Sequence, residues 1–306
     1  MTSTATWTGT PTYTSTPVLT HITHWTVPLP EAIAIDPTNN NVFVGQSLGT
    51  TIGSLFGTTL GIYTSAGIPV TSYAASSSQM GQIGRIAGIA IDQLGNIFIV
   101  DNNENRVMVF DQNMNFIYQI GSSSPVTGGG PGEFSHPYGI VLDNNGSAGA
   151  SIYVTDPGNS RVQKFTHSGT YITQIFPGNI GSIAVDGNND VYVSANPPSQ
   201  ISKFDANGNP LTFLYAPELA VPMSLDPAYR GMAIDPSGNI YIAGGNYTYT
   251  RACLREFNDS WIFLGDTTAS GDPSGSLALP NQVAIDGMGR IYLTDTANNS
   301  IEVYSP

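Results

Sequence analysis

The side chains that could bind a metal or carry acid–base chemistry are few in this chain. It has four histidines, His21, His24, His136 and His167, and a single cysteine, Cys253. Imidazoles hold zinc-class ions when two or three of them converge. His21 and His24 stand three residues apart, which gives them opposite parity on a straight strand, so they are not expected to converge. The carboxylates are more regular. Asp36, Asp92, Asp143, Asp186, Asp235 and Asp286 each close a short apolar run, at separations of 56, 51, 43, 49 and 51 residues. One aspartate per unit, placed at a turn, behaves as a cap whose oxygens accept backbone N–H groups. A site would break the repeat rather than follow it. No Ser–His–Asp set, nucleotide loop or metal motif can be read, so no catalytic, cofactor-binding or metal-binding residue is assigned. Cys253 aligns with Val107 of an apolar strand, which predicts a buried, inert thiol, and one cysteine allows no internal disulfide.

The elements that carry these residues repeat with them. Gly88 to Asp101 reads as strand, tight turn, strand. Ile89 to Ile91 is a small apolar run, Leu94-Gly95-Asn96 supplies turn chemistry, and Ile97 to Val100 suits a packed strand. Nearly the same sequence returns at Gly231 to Ile242 and Gln282 to Leu293, and looser copies lie at Ala32 to Val44, Gly139 to Val154 and Ser182 to Val193. A third strand follows in each later copy: Arg106 to Phe110, Arg161 to Phe165, Ile201 to Phe204, Cys253 to Phe257 and Ile301 to Tyr304. A fourth is predicted at Phe116 to Ile120, Tyr171 to Ile175, Leu211 to Leu214 and Trp261 to Leu264. Four strands per unit and a period of roughly 40–50 residues point to propeller blades. The sixth copy has no fourth strand, because the sequence stops at Pro306. Val18 to Val27 belongs to no blade and is expected to pair with Ile301–Tyr304 and close the ring.

Two further stretches carry a resemblance. They are Gly132-Glu133-Phe134-Ser135-His136-Pro137-Tyr138-Gly139-Ile140 and Ile152-Tyr153-Val154-Thr155-Asp156-Pro157-Gly158-Asn159-Ser160-Arg161-Val162-Gln163-Lys164-Phe165. Together they resemble the NHL-repeat family of six-bladed β-propellers. Asp101 with Arg106, and Asp295 with Asn298, fit the same pattern. Blades one, four and five depart from it, with Gly45-Gln46, Ser194-Ala195 and Gly244-Gly245 at the end of the second strand. The resemblance implies an all-β, six-bladed fold over residues 18–306. Asp101–Arg106 and Asp156–Arg161 are expected to tie down the turn inside one blade. Related propellers include a metal-dependent lyase that needs several histidines, and lactonases with a Glu, Asn and Asp cluster around calcium in the central channel. Glu31 and Asp36 are what this sequence offers to such a cluster. Fold alone does not choose among these functions.

Composition narrows the choice. Charged residues make up only 10% of the chain, and Ser, Thr, Asn and Gly take their place, as expected for an extracellular or cell-surface protein. The balance of 9 Lys+Arg against 22 Asp+Glu gives −13, which argues against nucleic acid and against an anionic membrane surface. No apolar run is long enough to span a bilayer, so no membrane insertion is expected. No signal peptide is visible at Met1.

Residues 1–17 form a separate segment in which every even position from Thr2 to Thr16 is threonine. Period two is the strand period, so an extended arm would show Thr8, Thr10 and Thr12 on one face and Trp7 and Tyr13 on the other. The arm is expected to lie on a neighbouring copy with Trp7 and Tyr13 as anchors, or to fold onto its own propeller. Leu48 to Leu60 is read as a functional loop or a spare hairpin, and Asn246 to Tyr249 as an aromatic loop. Asn145, Asn246, Asn258 and Asn298 head sequons and are candidate glycosylation sites. The sequence therefore points first to a non-catalytic extracellular structural or binding propeller, partnered by copies of itself and by glycans or surface proteins. A cation-dependent hydrolase or lyase centred on the channel, and a monomeric glycan- or protein-binding propeller, are the alternatives.

Overall fold

The computed structural model describes residues 19–52, 55–74, 83–121, 127–143, 149–176, 178, 180–195, 200–215, 229–244, 252–267 and 277–306. These residues form six four-stranded antiparallel sheets, the blades, with no α-helix among them. The inner strands are Pro30–Ile35, Ile86–Ile91, Ile140–Leu142, Ile180–Val185, Tyr229–Ile234 and Pro280–Ile285. The outer strands of blades one to five are Pro69–Ala74, Phe116–Gly121, Tyr171–Ile175, Pro210–Tyr215 and Phe263–Asp266. Blade six takes its outer strand from the other end of the chain. Thr20–Thr26 runs antiparallel to Ser300–Ser305, with Trp25 opposite Ile301 and His21 opposite Tyr304, so the expected closure is present. Leu19 and Val27, which flank that strand, are buried at 2% and 0% exposure.

A simple size rule shapes the blades. The inner strands offer Ala34, Ala90, Val141, Ala184, Ala233 and Ala284. Opposite them on the second strands stand Phe43, Phe98, Tyr153, Tyr192, Tyr241 and Tyr292. Small residues fit where six strands crowd the axis, and rings fill the widening space outside them. Each ring is buried, and each contributes roughly 1.5–3 kcal/mol by leaving water. The core is accordingly six wedges between neighbouring blades rather than one central cluster.

The repeated aspartates are the caps that their spacing predicts. Asp92 Oδ1 accepts the N–H groups of Leu94 and Asn96, each at 2.8 Å, and Asp186, Asp235 and Asp286 repeat the pattern. Of the two readings of Leu48 to Leu60, the hairpin is the one present, since Val42–Ile52 and Leu55–Tyr63 pair out to Ile52 and Leu55. One detail differs from the sequence reading. The last strand of blade five starts at Phe263, because Trp261 sits in the preceding turn at φ 64°. Asn258 builds that turn by accepting the N–H groups of Ser260 and Ile262, and this local capping outweighs the strand preference of an aromatic ring.

Candidate functional site

The six inner strands enclose a channel with a cavity of about 250 Å³. Its wall is aliphatic: Ile33, Ile89, Ile140, Ile183, Met232 and Val283 represent the six blades, and Ser182 and Gln282 are its polar exceptions. Polar groups gather instead where the inner strands begin, one residue short of that lining. There the position five residues before each repeated aspartate holds Glu31, Ala87, Tyr138, Gly181, Arg230 and Asn281. No two blades agree at this position, although the residues around it repeat.

Of these residues, Glu31, Tyr138 and Asn281 tie the mouth together. Tyr138 donates to Asn281 Oδ1 at 2.8 Å, joining blade three to blade six. Asn281 Nδ2 donates to the Glu31 carbonyl at 2.9 Å, and Arg85 Nε donates to Glu31 Oε2 at 2.8 Å. Gln282 reaches from blade six to the Ala87 carbonyl of blade two at 2.6 Å. Glu31 and Asn281 are the nearest approach to a carboxylate–amide cation set. Both are already engaged, Glu31 by a guanidinium and Asn281 by a phenol and a carbonyl. The network braces the ring and presents no cluster of bare carboxylates. Asp36, the other carboxylate singled out from the sequence, caps its own turn through Thr38 and Asn39.

Of the histidines, His167 bridges two blades by contacting Asp92 Oδ2 at 2.8 Å, and His136 is exposed. His21 and His24 require a correction. A β-bulge between His21 and Thr23 leaves Ile22 without a partner, so His21 faces Tyr304 and His24 faces Glu302. The extra residue reverses the parity and brings both imidazoles to one face. Among the described residues, His21, His24 and Glu302 are the one set of three such groups whose ligand atoms lie within 4.8 Å of one another. They sit on the rim of blade six, away from the channel.

Asp156 and Arg161 form a buried pair at 2.9 Å, whereas Asp101 and Arg106 make a longer contact at 3.4 Å. Cys253 is buried, as expected. Asn298 is exposed with its amide nitrogen donating to Asp295, and Asn258 is half-buried in its turn. Asn145, Asn246, the aromatic stretch to Tyr249 and the arm with Trp7, Thr8, Thr10, Thr12 and Tyr13 lie outside the described residues.

A family model described as a 6-bladed beta-propeller, DUF5128, matches residues 76–192. The chain is a six-bladed β-propeller. Solved structures agree across nearly its whole length. A gluconolactonase from Xanthomonas campestris superposes with a TM-score of 0.65 at 13% identity, over 92% of this chain and 86% of that one. A virginiamycin B lyase from Staphylococcus aureus gives 0.60 at 15% identity, over 94% and 88%. A streptogramin B lyase gives 0.59 at 12% identity, over 94% and 97%. Identities this low carry the fold and nothing finer. No curated protein matches the chain in sequence. No helix among the described residues is long and apolar enough to cross a membrane.

Proposed function

We propose that this NHL-like propeller is a non-catalytic extracellular or cell-surface protein that assembles with copies of itself through its N-terminal arm. The observation that carries the reading is the chemistry of the rim. The six outer strands read THITHWT, PVTSYA, FIYQIG, YITQI, PLTFLY and FLGD, and contain no Lys, Arg or Glu. They expose Ile22, Val70, Phe116, Ile172, Phe213 and Leu264, one or more apolar side chains in every blade. An outer strand presents a row of unpaired backbone groups, and proteins that stay apart guard such edges with charge. Here the charge on the outer strands is limited to Asp266, besides His21 and His24. The described chain begins at Leu19, beside the outer strand of blade six, and the sequence ahead of it carries the strand period needed to pair with such an edge. An arm of one copy on an outer strand of the next is a head-to-tail contact, which closes into a ring or runs on as a filament. Glycans on exposed turns and other surface proteins are further partners that the low-charge surface suits.

The rival reading, a hydrolase or lyase using a divalent cation in the channel, draws on the activities of the gluconolactonase and the lyases. The aliphatic wall and the engaged side chains at the mouth give it no donor set among the described residues.

Electron microscopy and light scattering on the full chain test the proposal. Wild type should form polymers or closed oligomers, and W7A/Y13A and a deletion of residues 1–17 should give single discs with unchanged circular dichroism. A wild-type chain that stays monomeric at high concentration, or assemblies that survive the deletion, would refute it.

A further inference from the structure

We propose that His21, His24 and Glu302 form a binding site for one zinc-class divalent ion, and that the ion locks the closing strand onto the last strand. His21 Nε2 lies 2.9 Å from Glu302 Oε2, and the three donor atoms are all within 4.8 Å of one another. A tetrahedral ion with bonds of about 2.0–2.1 Å sets its ligand atoms roughly 3.3 Å apart, so small side-chain rotations bring these three into place. Two imidazoles and one carboxylate suit Zn²⁺ and its transition-metal neighbours, whereas Ca²⁺ and Mg²⁺ prefer sites built of oxygen. The fourth position is left to water.

The surroundings fit a ligand set. Ser300 Oγ donates to Glu302 Oε1 at 2.6 Å, which fixes the carboxylate and leaves Oε2 aimed at His21. Carboxylate ligands in metal sites are commonly held by such a second hydrogen bond. His21 and Glu302 are mostly shielded, with side-chain exposures of 10% and 5%, while His24 faces solvent and leaves the ion a route in. The three residues also span the one junction where the ring is closed by pairing between the two ends of the chain. An ion held there links Thr20–Thr26 to Ser300–Ser305 and anchors the root of the N-terminal segment. Because the set exists only in the closed ring, binding stabilises the folded state by mass action. The inference does not depend on what the arm binds.

The test uses the full chain after treatment with a chelator. Zn²⁺ titrated by calorimetry should bind at one equivalent and raise Tm, and Co²⁺ should give the visible absorption of a tetrahedral site. H24A, a change at an exposed side chain, should keep the metal-free Tm near that of wild type. It should lose at least tenfold in affinity and the zinc-dependent rise in Tm. H136A, on a distant exposed loop, should bind like wild type, and Mg²⁺ or Ca²⁺ should move neither Tm. Absence of stoichiometric binding, or binding that survives in H24A, would overturn the proposal and leave His21 and Glu302 as a hydrogen-bonded pair.

Discussion

Glu256 is the side chain most at odds with its surroundings, and the substitution E256Q tests why. In blades three and four the residue facing the ring of the second strand is a lysine, with Lys164 opposite Tyr153 and Lys203 opposite Tyr192. In blade five that position holds Glu256, opposite Tyr241 and only 2% exposed. The Tyr241 hydroxyl lies 3.1 Å from Glu256 Oε1 and 3.2 Å from Asp235 Oδ2. A phenol has one hydrogen, so it can serve only one of two ionised carboxylates. Glu256 Oε2 has no hydrogen-bond partner among the described residues. Burial pushes the Glu256 carboxyl up, the Tyr241 hydrogen bond opposes this, the Asp235 charge adds to it, and the net direction is up. A proton on Glu256 resolves the conflict: Glu256 donates to Tyr241, and Tyr241 donates to Asp235. The folded state then holds a proton that the unfolded chain releases near 4.5. Stability is therefore complete below that value and falls as pH rises through the raised folded value. The amide introduced by E256Q supplies the missing hydrogen at every pH. An unserved buried acceptor costs about 1–3 kcal/mol, and a large domain moves ~2–4 °C per kcal/mol. E256Q should thus melt roughly 2–12 °C above wild type at about pH 8 and level with it at about pH 4. Thermal melts followed by circular dichroism across that range decide the matter. Parallel curves for the two proteins, or a variant that melts lower at about pH 8, would refute the reasoning.

Two further outcomes follow from packing at the axis and within a blade. A Cβ added at Gly231 would meet Asn281 O at 2.6 Å and Gln282 Cα at 2.6 Å, both backbone atoms, so G231A should lose about 1–3 kcal/mol in urea unfolding. G187A, with nothing within 4 Å of its added Cβ, should stay within about 0.5 kcal/mol of wild type. Arg161 also donates to the Gly129, Gly130 and Glu133 carbonyls, so R161M leaves the buried Asp156 carboxylate without its counter-charge and should cost about 3–5 kcal/mol. R106M, which removes the longer contact at 3.4 Å, should cost clearly less by the same measurement.

What could be read from the sequence followed from period. The alternating and apolar runs around each repeated aspartate fix strand, turn and strand, because the side-chain period of a strand is two and the cap must sit at its end. The orphan segment before Ala32 and the missing fourth strand of the last blade fix the closure by counting. What could not be read came from departures of a single residue. Nothing in His21-Ile22-Thr23-His24 marks Ile22 as a bulge, and one unpaired residue is enough to turn a parity argument for divergence into convergence. The bulge becomes visible only against the register of Ser300–Ser305, which is a tertiary fact.

The mouth of the channel presents the opposite case, where a usable signal was present and lay in variation. Lining up the blades on their aspartates and stepping back five residues gives Glu31, Ala87, Tyr138, Gly181, Arg230 and Asn281, the point at which the repeat stops repeating. Residues that only build a blade are under the same packing demand six times over and come out alike, as the alanine–aromatic pairs do. Residues that face the shared axis meet one another rather than their own blade, so they are free to differ and can complement across the ring, as Tyr138 and Asn281 do. Glu256 obeys the same logic from within a blade: the other blades place Ile62, Val109, Lys164, Lys203 or Val303 there, and the single acid stands out only when the copies are compared. In a repeat protein, then, the fold is written in what the copies share, and the candidate sites are written in where one copy declines to match.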